Sequence, residues 1–444
     1  MSRRSNTIIV RPIIDRIGFN RPPVSYGGAN MVLADRPPRI PGAEGREKNV
    51  KILVAPDSFK GSMTSTEAGQ AIQKGIRRVL PHAVIEQVAL ADGGEGTVDA
   101  FLAVQGGKKI IRRVTGPLGD PVESILGVLP GGTIVMEAAA ASGLPLIPEE
   151  KRNPWVATSR GTGELLRAAL DLKPKEILIG LGGSAVVDGG IGFLQALGGR
   201  ILDKDGREVL LGGQALEQVF QIDLSRLDSR LWETRIIAAV DVDNPLLGPA
   251  GAARIFGPQK GADPGMVERL ERGMENYARL LGTAVGSDVG TQAGGGAAGG
   301  LGAALVAACG ALLQSGFNLL ADRIHLEQKI ATADLIITGE GQIDSQSLRG
   351  KAPVGVGRLA VRYRTPAIAF TGFIGEGAHR LEEEGIQAVY TLVPGPVPLK
   401  EAQKRGAEFL TESVSRFFRG IVAVCENRNC GIKESSGERE GREG

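Results

Sequence analysis

VKILVAPDSFKGSMTSTE, residues 50–67, reads as a strand that runs into a polar loop and then a helix. Residues 50–55 form a short run with β-branched side chains, and Pro56 ends it because proline has no N–H for a sheet ladder. Thr64-Ser-Thr-Glu67 has the spacing of a capping box, in which hydroxyl and carboxylate each satisfy a helix-end N–H; it opens an amphipathic helix to about Leu80. A second strand at 84–89, the loop Ala91-Asp-Gly-Gly-Glu-Gly-Thr97 and a short helix through Val104 follow. Strand, loop and helix repeating at this spacing predict a parallel α/β fold.

From 108 to 136, short strands separated by Thr115-Gly-Pro-Leu-Gly-Asp-Pro121 and Pro130-Gly-Gly132 predict antiparallel hairpins and a second region. It continues through a helix after residue 163, strands at 176–180 and 235–240, a helix near 263–281 and an alanine- and glycine-rich helix from Gly299. After about Ala321 the strand and helix rhythm resumes, with strands at 333–338, 366–371 and 387–393 expected to complete the first sheet. The predicted fold class is α/β: a discontinuous Rossmann-like parallel domain (49–106 and 321–424), an inserted α+β domain (107–320), and an active site in the interdomain cleft. Residues 1–48, with nine basic side chains and no sustained period, are expected to be a disordered basic extension, and 425–444 a disordered charged tail.

The 444 residues carry 52 basic and 50 acidic side chains and only 4% aromatics, so neither nucleic acid nor a membrane is an expected partner. The longest apolar runs, such as 302–313, are too short and too glycine-interrupted to span a bilayer. Three cysteines cannot build a disulfide framework, which fits a cytoplasmic setting. The three histidines lie away from the glycine-rich loops, so histidine metal sites and Ser-His-Asp catalysis lose support.

Chemistry is expected in those loops. In IGLGGSAVVDGGIG (179–192), Gly182 and Gly183 let backbone N–H groups converge on an oxyanion, Ser184 adds a hydroxyl and Asp188 a carboxylate for a metal or a proton, a combination that suggests phosphoryl transfer. Asp57, Ser58 and Lys60 stand at the C-terminal edge of the first strand, where ligands of parallel sheets gather. Gly339, Glu340, Gly341 and Asp344 repeat the design at another strand end, and Lys351 follows as a second cation. Ser159, Arg160, Gly161 and Thr162 open a helix whose positive end suits a carboxylate or phosphate, although an ordinary helix cap explains them nearly as well. Asp241, Asn244, Gln259 and Lys260 add groups that bind hydroxyls and metal-bound phosphate, with turn chemistry as the alternative. Asp92 and Glu95 either cap a helix or face Mg²⁺. Residues 294–299 formally fit G-x-G-x-x-G, but no clear strand precedes them and close helix packing is the better reading; no P-loop or protein kinase motif occurs.

Taken in order, APDSFKGS (55–62), ADGGEGT (91–97), TSRGTGEL (158–165), IGLGGSA (179–185), DVDNPL (241–246), FGPQKGA (256–262), GAAGGLGAAL (296–305) and ITGEGQIDSQSLRGK (337–351) resemble the glycerate kinase family, over about residues 50–418. The resemblance implies ATP-dependent phosphorylation of D-glycerate, with Mg²⁺ and with 2-phosphoglycerate as the favoured product. Within that site, chemistry assigns Asp188 as the base, Lys60 and Lys260 to offset phosphate or carboxylate charge, and Asp241, Glu340 and Asp344 to Mg²⁺. D-glycerate and ATP are the expected partners, and a homodimer is compatible with the chain. One departure stands out, because the family usually reads GGSATNDGG where this chain has Val186 and Val187, so a hydroxyl and an amide are missing. The alternative is therefore a non-catalytic or altered-specificity homologue that senses or phosphorylates another small hydroxy acid.

Overall fold

The computed structural model describes residues 50–430 apart from 92, 345–346 and 348–350, with side chains as far as residue 424. The expected basic extension, Asp92 and residues 431–444 lie outside the described residues. Five strands make an all-parallel sheet in the order β13-β12-β11-β1-β2: β1 Lys51–Val54, β2 Val84–Gln87, β11 Leu335–Ile343, β12 Ala367–Ile374 and β13 Ala388–Thr391. Six make a mixed sheet in the order β10-β9-β6-β5-β4-β3. Here β5 Thr133–Glu137, β6 Glu176–Gly180, β9 Arg235–Ala239 and β10 Leu312–Gln314 are parallel, while β3 Lys108–Thr115 and β4 Pro121–Val128 add an antiparallel edge. A short hairpin, β7 Arg200–Leu202 with β8 Gln221–Asp223, stands apart.

The alternation of side chains along each strand explains how the sheets stack. Ile52, Val54, Leu335, Ile337 and Phe370 face an outer cluster with helices Ser65–Arg77 and Gly406–Cys430. Their neighbours Leu53, Ile336 and Ala369 share a different cluster with Val135, Leu178 and Ile237 of the mixed sheet. Helices Thr97–Gln105, Gly316–Arg323, Leu326–Thr332 and Ala352–Tyr363 fill that middle layer. The remaining face, with Ile134, Ile177, Ile179 and Ile236, packs on helices Arg160–Leu170, Pro264–Val285 and Ala297–Cys309. The two sheets therefore share one helical layer, and burying each large aliphatic side chain contributes about 1.5–3 kcal/mol.

Three sequence expectations shift. Strand β11 continues to Ile343, so Glu340 and Gly341 lie within a strand rather than in a loop: the ladder persists as Glu340↔Thr371 and Gln342↔Phe373. Strand β12 likewise runs to Ile374, past its expected end at 371. The last helix runs to Cys430, past the expected start of the tail at 425, carried by Phe409, Leu410, Val414, Phe418 and Ile421 at helical spacing on the sheet. The Thr64 capping box forms as expected.

Strand β5 ends on Glu137, a buried carboxyl that accepts from Val98 N at 2.7 Å and so caps the helix Thr97–Gln105. Burial pushes this carboxyl up from 4.5 to about 7, against the Val98 and Gly96 amides and with added repulsion from Asp99 and Glu95. Between those values the folded state keeps a proton that the unfolded chain releases, so this group's contribution to stability falls as pH rises through that window. Glu137→Gln is expected to flatten this dependence and to raise Tm at pH 8 relative to the unsubstituted protein. An unchanged Tm–pH curve would mean that Glu137 is ionised throughout.

Candidate active site

The loops after β1, β6 and β9 and the end of β11 face a common cleft at the C-terminal edges of both sheets. One cavity, about 450 Å³, is lined by Gly182, Gly183, Ser184, Asp241, Asn244, Gln259, Lys260 and Lys351. A second, about 440 Å³, is lined by Asp57, Ser58, Lys60, Glu340, Gly341, Asp344 and again Lys351. A third, about 720 Å³, shares Asp241 and Asn244 with the first and extends to Ser315, Asn318 and Arg358.

Lys260 organises the first cavity. Its ammonium donates to Ser184 Oγ at 3.0 Å and to the Val186 carbonyl at 2.8 Å, and lies 5.9 Å from the centre of the Phe256 ring. The residue is only 3% exposed, and burial lowers its pKa to about 7, opposed by the charge of Asp188. Asp188 is itself fully buried and lies outside the lining of all three cavities. Its carboxylate accepts from Ser159 N and Oγ, both at 2.8 Å, and from Gly190 N at 3.1 Å; burial still pushes its pKa upward. The positive end of helix Arg160–Leu170 thus has its anion built in, and that anion is Asp188.

Ser159, Arg160, Gly161 and Thr162 line none of these three cavities. Ser159 Oγ also accepts from Phe193 N at 3.0 Å, Thr162 donates to Ser142 Oγ at 2.9 Å, and Arg160 pairs with Glu164 at 3.1 Å. At Gly161 a Cβ would stand 1.8 Å from the Thr115 carbonyl oxygen, so this glycine serves packing. These contacts tie Ser159 to Asp188 and pack Gly161 against β3. Asp188, expected as the proton acceptor, is fully buried, and its charge acts on Lys260.

Val186 and Val187 are also fully buried and outside the cavity lining. What position 186 supplies is its backbone carbonyl, which any residue carries, so the missing hydroxyl and amide do not strip groups from the cavity wall. Residues 294–299 pack behind this carbonyl. Helix Ala297–Cys309 starts with Ala298 and Gly299 at φ 51° and 67°, and a Cβ on Gly299 would lie 1.9 Å from Val186 O. This contact agrees with the close-packing reading of Gly299, while Ala297 and Ala298 line the first cavity.

Asn244 is buried, and its Nδ2 donates to Ala250 O at 2.8 Å, which fixes the amide orientation. Its Oδ1 has no partner among the described residues although two cavities meet at this side chain. A buried amide oxygen left unpaired costs about 1–3 kcal/mol, which a hydroxyl donor on a ligand would recover. Asp241, half-buried beside it, accepts from Gly316 N at 3.1 Å.

In the second cavity Lys351 pairs with Glu340 at 3.2 Å, and Gln342 donates to Asp344 at 2.7 Å. Gly339 lies outside the lining: its carbonyl accepts from Asp57 N at 2.8 Å, and a Cβ would meet Phe370 O at 2.2 Å. Glu95 is exposed and lines none of these three cavities. Among the described residues no three carboxylate, imidazole or thiol side chains converge enough to hold a metal unaided. The oxygen donors Asp57, Glu340 and Asp344 of one cavity nonetheless suit Mg²⁺, which takes one or two carboxylates together with phosphate oxygens and water. Sequence reasoning missed Phe373 and Leu399, which line this cavity while 59% and 73% exposed. The full length of β12 is the signal that would have brought Phe373 to the site.

A model of the glycerate kinase family matches residues 52–422. The chain is 46% identical over 362 residues to a glycerate kinase of Bacillus subtilis (strain 168), spanning 81% of this chain and 95% of that one. It is 46% identical over 376 residues to a glycerate 2-kinase of Escherichia coli (strain K12), spanning 84% and 98%. A crystal structure of the protein assigned as glycerate kinase 2 from Salmonella typhimurium LT2 superposes with a TM-score of 0.72 at 44% identity, covering 85% of this chain and all of that one. Among the described residues no helix is long and apolar enough to cross a membrane.

Proposed function

The chain belongs to the glycerate kinase family, and on that premise we propose that it transfers the γ-phosphoryl group of ATP to D-glycerate, releasing ADP and 2-phosphoglycerate. The observation that carries this reading is the position of Lys351, which lines both the Ser184–Lys260 cavity and the Asp57–Glu340 cavity. A phosphoryl donor in one and an acceptor in the other would meet at a cation. The sheets and their outer helices then act as two lobes around the cleft, in the cytoplasm where ATP is made available.

In the reaction a glycerate hydroxyl oxygen bonds to the γ-phosphorus while the bond from that phosphorus to the β,γ-bridging oxygen breaks, and the electron pair leaves with ADP. Such transfers depend chiefly on positioning and on offsetting charge. Lys260 and Ser184 hold the glycerate carboxylate, and Asn244 Oδ1 accepts from one of its hydroxyls. Asp241, the carboxylate that faces this cavity, takes the proton in place of the enclosed Asp188. Lys351 and Lys60 offset charge on the phosphates. Mg²⁺, held by Asp57, Glu340 and Asp344 directly or through water, would supply further charge neutralisation when bound. The 2-position is supported by the name of the Escherichia coli relative.

Phosphorus NMR of the product formed from ATP and D-glycerate tests this. The expected new resonance is that of 2-phosphoglycerate. 3-Phosphoglycerate would overturn the regiochemistry, and no glycerate-dependent ADP would overturn the kinase reading.

A further inference from the structure

We infer that the cavity of Asp57, Lys60 and Lys351 is the nucleotide site, and that Phe373 and Leu399 form a clamp for the base at its outer end. This rests on the kinase reading and assigns the two substrates to separate cavities. The cavity combines two kinds of lining. Lys351 joins it to the Ser184–Lys260 cavity and pairs with Glu340, and Asp57, Lys60 and Asp344 add further charge to its wall. Phe373 and Leu399, 59% and 73% exposed, line it where it meets solvent, and the buried Leu392 and Phe409 line it as well.

An exposed phenyl ring and an exposed leucine lining one cavity leave apolar surface in water that a bound group could cover, and Leu399 is more exposed than any other large apolar side chain described. A planar base between them removes both from water. A three-carbon hydroxy acid has too little apolar surface to do so. The register fits as well: Phe373 pairs with Gln342, two residues beyond Glu340, the partner of Lys351. Two residues of strand amount to roughly 7 Å, a gap that ribose and the first phosphates can bridge. The third cavity is a poorer host, since among its lining residues the one lysine or arginine is Arg358, engaged with Glu384 at 2.7 and 3.3 Å, whereas the second cavity carries Lys60 as well as the Glu340-paired Lys351.

Titration calorimetry with ADP and with inorganic tripolyphosphate, each with Mg²⁺, tests the assignment on the full chain. Phe373→Ala and Leu399→Ala, both at exposed positions, are expected to weaken ADP binding roughly 10- to 100-fold together, as loss of base stacking does, while tripolyphosphate binding and the KM for glycerate stay unchanged. Unaltered ADP affinity, or an equal loss for ADP and tripolyphosphate, would overturn the clamp and leave the kinase reading standing. A rise in the KM for glycerate with ADP affinity intact would reverse the assignment of the two cavities. Failure of the unsubstituted protein to bind ADP at all would instead overturn the kinase reading on which the clamp depends.

Discussion

Lys260→Met is expected to lower kcat/KM for glycerate phosphorylation about 1,000-fold, the scale of losing a preorganised charge contact in a closed site. The fold should survive, because methionine fills the same buried channel and Asp188 keeps its Ser159 and Gly190 donors. The mechanism predicts a pH signature too. Burial lowers the Lys260 pKa to about 7, so kcat/KM, which reports the free enzyme, should fall as pH rises through that value. Asp188→Asn removes the charge that opposes this lowering and should therefore move the alkaline limb to lower pH. If Asp188 were the base, its substitution would instead erase an acidic limb and leave the alkaline one where it was. Stability carries the opposite sign: from about 7 to 10.5 the unfolded chain binds a proton that folded Lys260 has lost, so the unliganded protein gains stability over that range. Lys260→Met should lose that gain, and an unchanged urea midpoint profile would contradict the burial argument.

Gly299→Ala is expected to destabilise the protein by roughly 3 kcal/mol or more, the range of backbone overpacking combined with a left-handed alanine. The added methyl would stand 1.9 Å from Val186 O and 2.7 Å from Val187 Cα, both parts of the backbone and unable to swing aside. Because Val186 O is also the acceptor that orients Lys260, the residual folded enzyme should be impaired as well. A shift of the urea midpoint together with reduced kcat per folded molecule is the expected pair of results. A midpoint equal to that of the unsubstituted protein would show that the helix start can move as a unit. Ala298, already at φ 51°, shows that this bend tolerates a side chain where space permits, so the contact at 299 decides the outcome.

Much of the arrangement was legible along the chain because the motifs are local. The stop at Pro56, the Thr64 capping box and the glycine-flanked loops after β1, β6 and β9 can each be read from a few adjacent residues. They predicted groups that do line the cleft: Asp57, Ser58, Lys60, Gly182, Gly183, Ser184, Asp241, Asn244, Gln259, Lys260, Glu340, Gly341, Asp344 and Lys351. Ser159, Arg160, Gly161 and Thr162 looked similar because a helix start that binds an outside anion and one that binds an internal carboxylate have the same local chemistry. Only the approach of Asp188, 29 residues further along the chain, separates them.

Phe373, near the end of a strand, and Leu399, at the start of a helix, escaped for a related reason: an apolar residue at the end of an element carries no mark of facing solvent, and its exposure is a property of what does not pack on it. Residue order alone thus determined the α/β class, the family resemblance and the loops that carry polar groups. The tertiary structure decided which of those groups open to the cleft and which are consumed internally. Burial and hydrogen-bond satisfaction belong to the assembled packing, where one carboxylate at Asp188 serves a helix end and a lysine at once.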